Sequence, residues 1–159
     1  MISSGDKSEL VTVGYNSGRD GDTFVAFKGD RPMVVRFLLV DTPESVKQGV
    51  KPQPLSKEAS QYTDIRLRNT DKIQLDFDET GRRGDKYDRK LAYVYVDGVD
   101  LNEELVRKGY ARVGYVHEPN TKNLAKYKKA EAAAKKERLG IWEKEGYVTD
   151  KGFNEAVYE

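Results

Sequence analysis

At 159 residues, the chain is the length of one domain and can bury roughly 70% of its unfolded surface without staples. It has no cysteine and one histidine, His117, which excludes a disulfide framework and a zinc site of Cys and His. Any metal must be a hard cation on carboxylate and carbonyl oxygens. The net charge of +1 gives no overall pull toward nucleic acid.

In chain order, residues 1–8 read as a flexible lead-in without a signal-peptide core. This fits a cytoplasmic start or an export signal already removed. Leu10 to Tyr15 alternates loosely as a first strand, and Asn16-Ser17-Gly18 and Asp20-Gly21 supply turn chemistry. Thr23 to Lys28 and Met33 to Val40 are the second and third strands of a meander. Ser45 to Pro54, with Lys47, Gly49 and Lys51, is a polar loop expected to be mobile. Ser56 to Asn69 carries Ala59, Tyr62 and Ile65 at helical spacing. Lys72 to Asp78 and Leu91 to Val96 are the fourth and fifth strands, with a tight turn at Asp97-Gly98.

Leu101 to Lys108 is a short helix closed by Gly109. The longest helix is expected over Asn120 to Leu139, closed by Gly140 and anchored by Trp142. Lys122, Lys126, Lys128, Lys129, Lys135, Lys136 and Arg138 crowd this segment, as a solvated face or a surface toward nucleic acid. Residues 144–159, with Tyr147, Phe153 and Tyr158, form a C-terminal extension that packs on the body or frays. The domain proper is expected over 9–143. Three strands, a helix, two strands and further helix give the α+β order of a five-stranded OB-fold barrel. No run is long and apolar enough to cross a membrane.

Four features carry chemistry. Alternation sets Arg36 on one face with Val34, Leu38 and Val40, where its charge needs water or a partner. It is either a strand-edge arginine or one aimed at carboxylates or phosphate. Asp41-Thr42-Pro43-Glu44 ends the third strand, as a turn or as a metal ligand with a base beside it. Asp20-Gly21-Asp22-Thr23 opens the second strand. In a meander the start of strand two lies near the end of strand three, so Asp22 can approach Asp41, and two such carboxylates call for a cation. Asp85-Lys86-Tyr87-Asp88-Arg89 is a charged loop, or a set of phosphate and base contacts.

Asp20 to Thr23, Arg36 to Glu44 and Asp85 to Tyr93 together resemble the signature segments of staphylococcal-nuclease-like enzymes. The likeness continues through Asn102 to Arg107 and Gly140-Ile141-Trp142, covering about residues 10–143. It implies calcium held by Asp22, Asp41 and the Thr42 carbonyl, with Glu44 activating the attacking water. Arg36 and Arg89 would stabilise the phosphate, while Lys86, Tyr87, Tyr115 and His117 would contact the nucleotide. The implied reaction cuts DNA and RNA at the bond to the 5′ oxygen, leaving 3′-phosphate ends. The implied substrates are single-stranded or frayed, the implied enzyme is monomeric, and export is common in the family. A catalytically inactive binding module on the same barrel is the alternative. Asp88 stands where the family often has glycine. His117 stands where a tyrosine is found, and its charge would add a pH dependence near 6–7.

Overall fold

A computed structural model describes residues 9–45 and 49–159; the expected flexible segment 1–8 and residues 46–48 of the expected mobile loop lie outside the described residues. Five strands close a barrel: β1 (Val11–Asp20), β2 (Thr23–Lys28), β3 (Arg31–Phe37), β5 (Ile73–Asp76) and β6 (Lys90–Val96). β1 pairs antiparallel with β2 and β5, β2 with β3, and β5 with β6. The parallel pairing of β3 with β6, Arg36 opposite Leu91, seals the wall.

Two strands differ from their sequence reading. Asn16-Ser17-Gly18 is not a turn. β1 runs through it with irregular register between Tyr15 and Ser17 and again between Gly18 and Asp20. Bulges of this kind bend a strand and increase its twist, as closure of a small barrel requires. The expected strand over 33–40 is broken at Leu38-Leu39, because Leu39 adopts φ 67. Both leucines stay buried, so their apolar character conceals the break. Beyond it, β4 (Val40–Asp41) leaves the barrel wall and pairs with β8 (Arg112–Val113).

The helix α1 (Ser56–Arg68) packs on β1. A short β7 (Val99–Asp100) leads into α2 (Leu101–Arg107), which packs on β6 and on α3 (Leu124–Lys136). The Asp100 side chain accepts from Glu103 N at 3.0 Å and caps α2. α3 is shorter at both ends than its alanine-rich sequence suggests. Only Lys122 and Asn123 before it form a turn, and the Asn120 side chain accepts from the backbone N–H groups of Glu79 and Thr80. At the far end Arg138, with φ 57, takes the left-handed conformation. Phe24, Phe37, Leu75, Tyr93, Leu105 and Tyr127 fill the core. Buried Asn102 binds the kinked segment to that core: it donates to Leu38 O at 2.9 Å and accepts from Val94 N at 3.0 Å.

The C-terminal extension packs rather than frays. β9 (Val148–Thr149) and β10 (Gly152–Phe153) form a hairpin, and Tyr147 is fully buried beneath it. Its ring centroid lies 5.2 Å from that of Phe153 and 4.9 Å from that of Tyr158.

Candidate active site

The ten site residues that the resemblance implies all line one cavity of about 530 Å³. Its walls are the β1–β2 turn, the β3–β4 kink, the segment after β4, the loop before β6 and the stretch after β8.

The kink explains Arg36. Breaking the strand at Leu38-Leu39 removes ladder partners from nearby carbonyls, which a buried site must replace. Arg36 Nη1 donates to Phe37 O at 2.6 Å and to Val40 O at 2.8 Å. Its Nη2 lies 3.5 Å from Asp22 Oδ2, and its guanidinium sits 5.1 Å from the centre of the Tyr115 ring. Neither a free strand edge nor water receives this charge, since the residue is only 8% exposed.

Asp22 is held against the kinked segment. Its Oδ2 accepts from Thr42 N at 3.0 Å and its Oδ1 from the Thr23 hydroxyl at 3.0 Å. Phe37 N donates to Asp22 O at 2.9 Å. The meander therefore brings the start of β2 to the end of β3, as antiparallel neighbours require. Burial and then the charge of Asp22 push the Asp41 carboxyl above its ordinary value, against the pull of Arg112 and Arg36.

The fit to a divalent cation rests on this pair. Two carboxylates coupled by repulsion are a donor set for a hard cation, and the Thr42 backbone can add a carbonyl oxygen. Thr42 Oγ1, beside them, is buried with no hydrogen-bond partner among the described residues. No cluster of three or more Asp, Glu or His side chains converges among the described residues. A cation here would therefore complete its shell largely with water.

A glycine permits the close approach. A Cβ on Gly21 would lie 2.8 Å from Ala59 Cβ and 2.9 Å from Thr42 Oγ1. The Thr63 hydroxyl of α1 donates to Gly21 O at 2.6 Å, locking the turn against the helix. Gly21→Ala is expected to cost about 1–3 kcal/mol and to displace Thr42. Thermal melts on the variant check this. Unchanged melting would contradict the packing described.

Arg89 is aimed by its own loop. Its Nε donates to Asp85 Oδ2 at 2.9 Å, and its backbone N–H to Asp85 Oδ1 at 3.0 Å. Burial pushes the Asp85 carboxyl up, but hydrogen bonds from Arg89 and Tyr87 outweigh it and hold the group below its usual value. The Arg89 guanidinium and the Lys86 ammonium each lie 5.3 Å from the centre of the Tyr87 ring. Asp88 has φ 61, a conformation that glycine adopts freely and that aspartate tolerates better than most side chains.

Two features escaped the sequence reading. Arg112 Nε donates to Asp41 Oδ2 at 2.9 Å across the β4–β8 pair. An arginine between Ala111 and Val113 was the available signal. Asp20 accepts from the Ser45 backbone N–H at 2.8 Å and also from its hydroxyl, holding the segment that carries Glu44.

A family model described as Staphylococcal nuclease homologue matches residues 34–144. The SPbeta prophage-derived endonuclease YokF of Bacillus subtilis (strain 168) is 50% identical over 151 residues, 95% of this chain and 50% of that protein. Endonuclease YncB of the same organism is 46% identical over 154 residues, 97% of this chain and 72% of its own length. The thermonuclease of Staphylococcus hyicus is 37% identical over 123 residues, 77% of this chain and 70% of that one. The chain thus spans only half the length of the first of these relatives. A matching family model, a closed five-stranded barrel and relatives aligned over most of the chain agree: the protein belongs to the staphylococcal nuclease family.

Proposed function

We propose that the chain is a calcium-dependent phosphodiesterase that hydrolyses DNA and RNA at the bond to the 5′ oxygen, leaving 3′-phosphate ends. The observation that carries the reading is one cavity lined by Asp22, Asp41, Glu44, Arg36 and Arg89 together. That set has a place for a cation, a base and two guanidiniums, which is what cleavage of an anionic phosphodiester demands.

Asp22, Asp41 and the Thr42 carbonyl would hold the calcium. When bound, the ion supplies positive charge against the phosphate oxygens, where the transition state gathers negative charge. Glu44 takes a proton from the attacking water, whose oxygen bonds to phosphorus while the bond to the 5′ oxygen breaks. The departing oxygen takes a proton from solvent water and becomes a 5′-hydroxyl. Arg36 and Arg89 donate to the non-bridging oxygens, and these contacts strengthen as charge builds on them. Arg36 is preorganised by its two carbonyl acceptors, and Arg89 by Asp85.

Tyr87 and Tyr115 are 67% and 59% exposed, open enough to stack on unpaired bases. Lys86 and His117 would meet the nucleotide beside them. Contacts to phosphate and to ring faces read little sequence, so single-stranded or frayed nucleic acid of any sequence suits the site. Digestion of a defined single-stranded oligonucleotide, with end-group analysis, tests the reaction. Products with 3′-phosphate and 5′-hydroxyl ends are expected; 5′-phosphate ends would contradict the bond assigned.

A further inference from the structure

We propose that the C-terminal extension, residues 144–159, is a positioning element for Glu44, acting through Gln53. The inference rests on the reading of Glu44 as the base.

Glu44 sits on a connection rather than on a rigid strand. Its backbone is bracketed by one residue: Glu44 N donates to Gln53 Oε1 at 2.7 Å, and Gln53 N donates to Glu44 O at 2.9 Å. Gln53 is then oriented from the extension. Its Nε2 donates to Glu155 Oε2 at 3.2 Å. One residue on, Pro54 O accepts from the Tyr147 hydroxyl at 2.6 Å. Two side chains of the extension therefore fix consecutive residues of the segment that holds Glu44.

The extension is built to resist displacement. Tyr147 is fully buried against Phe153 and Tyr158. Asn154 N donates to Tyr147 O at 2.7 Å, and the Lys144 ammonium lies 4.5 Å from the centre of the Tyr158 ring. Glu155 opens a short 3-10 turn, Glu155–Tyr158, whose first N–H groups include one held by the Asn154 side chain. Almost all of this lies beyond residue 144, where the match to the family model ends. The arrangement thus supplements the family's barrel with a support for the base. A base held within hydrogen-bond reach of its water loses rate steeply when it drifts. Phosphate contacts made by Arg36, Arg89 and Lys86 do not pass through this support.

The test is a double-mutant cycle on the full chain, pairing Tyr147→Phe/Glu155→Ala with Glu44→Gln and reading kcat, KM and melting temperature. Phenylalanine keeps the buried ring, and position 155 is partly exposed, so both substitutions spare the packing. Expected are a kcat lowered by about 10–100-fold, KM little changed, partial recovery on replacing Glu155→Ala by Glu155→Gln, and no further loss in the Glu44→Gln background. Wild-type kcat in the double variant, with Glu44→Gln impaired, overturns the inference and leaves the base assignment standing. An equal loss in both backgrounds, or a rise in KM in place of a fall in kcat, also overturns it. Unimpaired turnover by Glu44→Gln overturns the reading of Glu44 itself.

Discussion

Glu44→Gln is expected to lower kcat by about 10²–10⁴-fold, the worth of a positioned general base, while leaving the fold intact. The side chain is exposed, and two of the contacts that place the segment run through backbone N–H groups: Glu44 N to Gln53 and Ser45 N to Asp20. Glutamine keeps the shape and removes the negative charge and with it the ability to accept a proton. Single-turnover kinetics at saturating oligonucleotide, with a melting curve alongside, separate chemistry from stability. Turnover near wild type would mean that another group activates the water.

Arg89→Ala should cost at least about 100-fold in kcat, the scale on which one donor to developing oxyanion charge acts. Arg89→Lys should recover little of it, because an ammonium lacks the planar fork that spans two phosphate oxygens. The stability cost should stay below about 1 kcal/mol, since the ion pair with Asp85 is partly exposed and Asp85 keeps its bond from Tyr87 N. Stopped-flow measurement of kcat for the three proteins distinguishes this from a purely structural role. Full rescue by lysine would reduce Arg89 to a point charge.

Arg36 differs from Arg89 in an instructive way. Arg89 precedes β6 whereas Arg36 lies within β3, and Arg36 also fastens the kink through Phe37 O and Val40 O. Its loss would strip donors from two carbonyls as well as charge from the site. Activity and stability should therefore fall together there, whereas at Arg89 they separate.

The barrel was legible because its strands alternate and its tight turns carry Asp and Gly; the order of elements then leaves few closures. The proximity of Asp22 and Asp41 was legible from meander geometry alone. The breaks were not. Leu38 and Leu39 continue an apolar run without turn residues, so nothing local marks the left-handed Leu39 that lets β4 pair with β8, distant in sequence. Asn16-Ser17-Gly18 has turn chemistry but lies inside a ladder, because barrel curvature uses the same small polar residues as bulges. Arg112 left only a weak signal, a charge between Ala111 and Val113, because its partner Asp41 lies on another element. The extension's role was hidden because it is expressed through Gln53 and Pro54, which in sequence are ordinary loop residues.

The central claim is that Asp22 and Asp41 hold a divalent cation on which phosphodiester cleavage depends. Titration of nuclease activity with calcium, starting from protein in excess chelator, tests it most directly. The account predicts no cleavage in chelator, saturable recovery as calcium is added, and a weakened or absent calcium response in Asp41→Asn. Full turnover in excess chelator would contradict it.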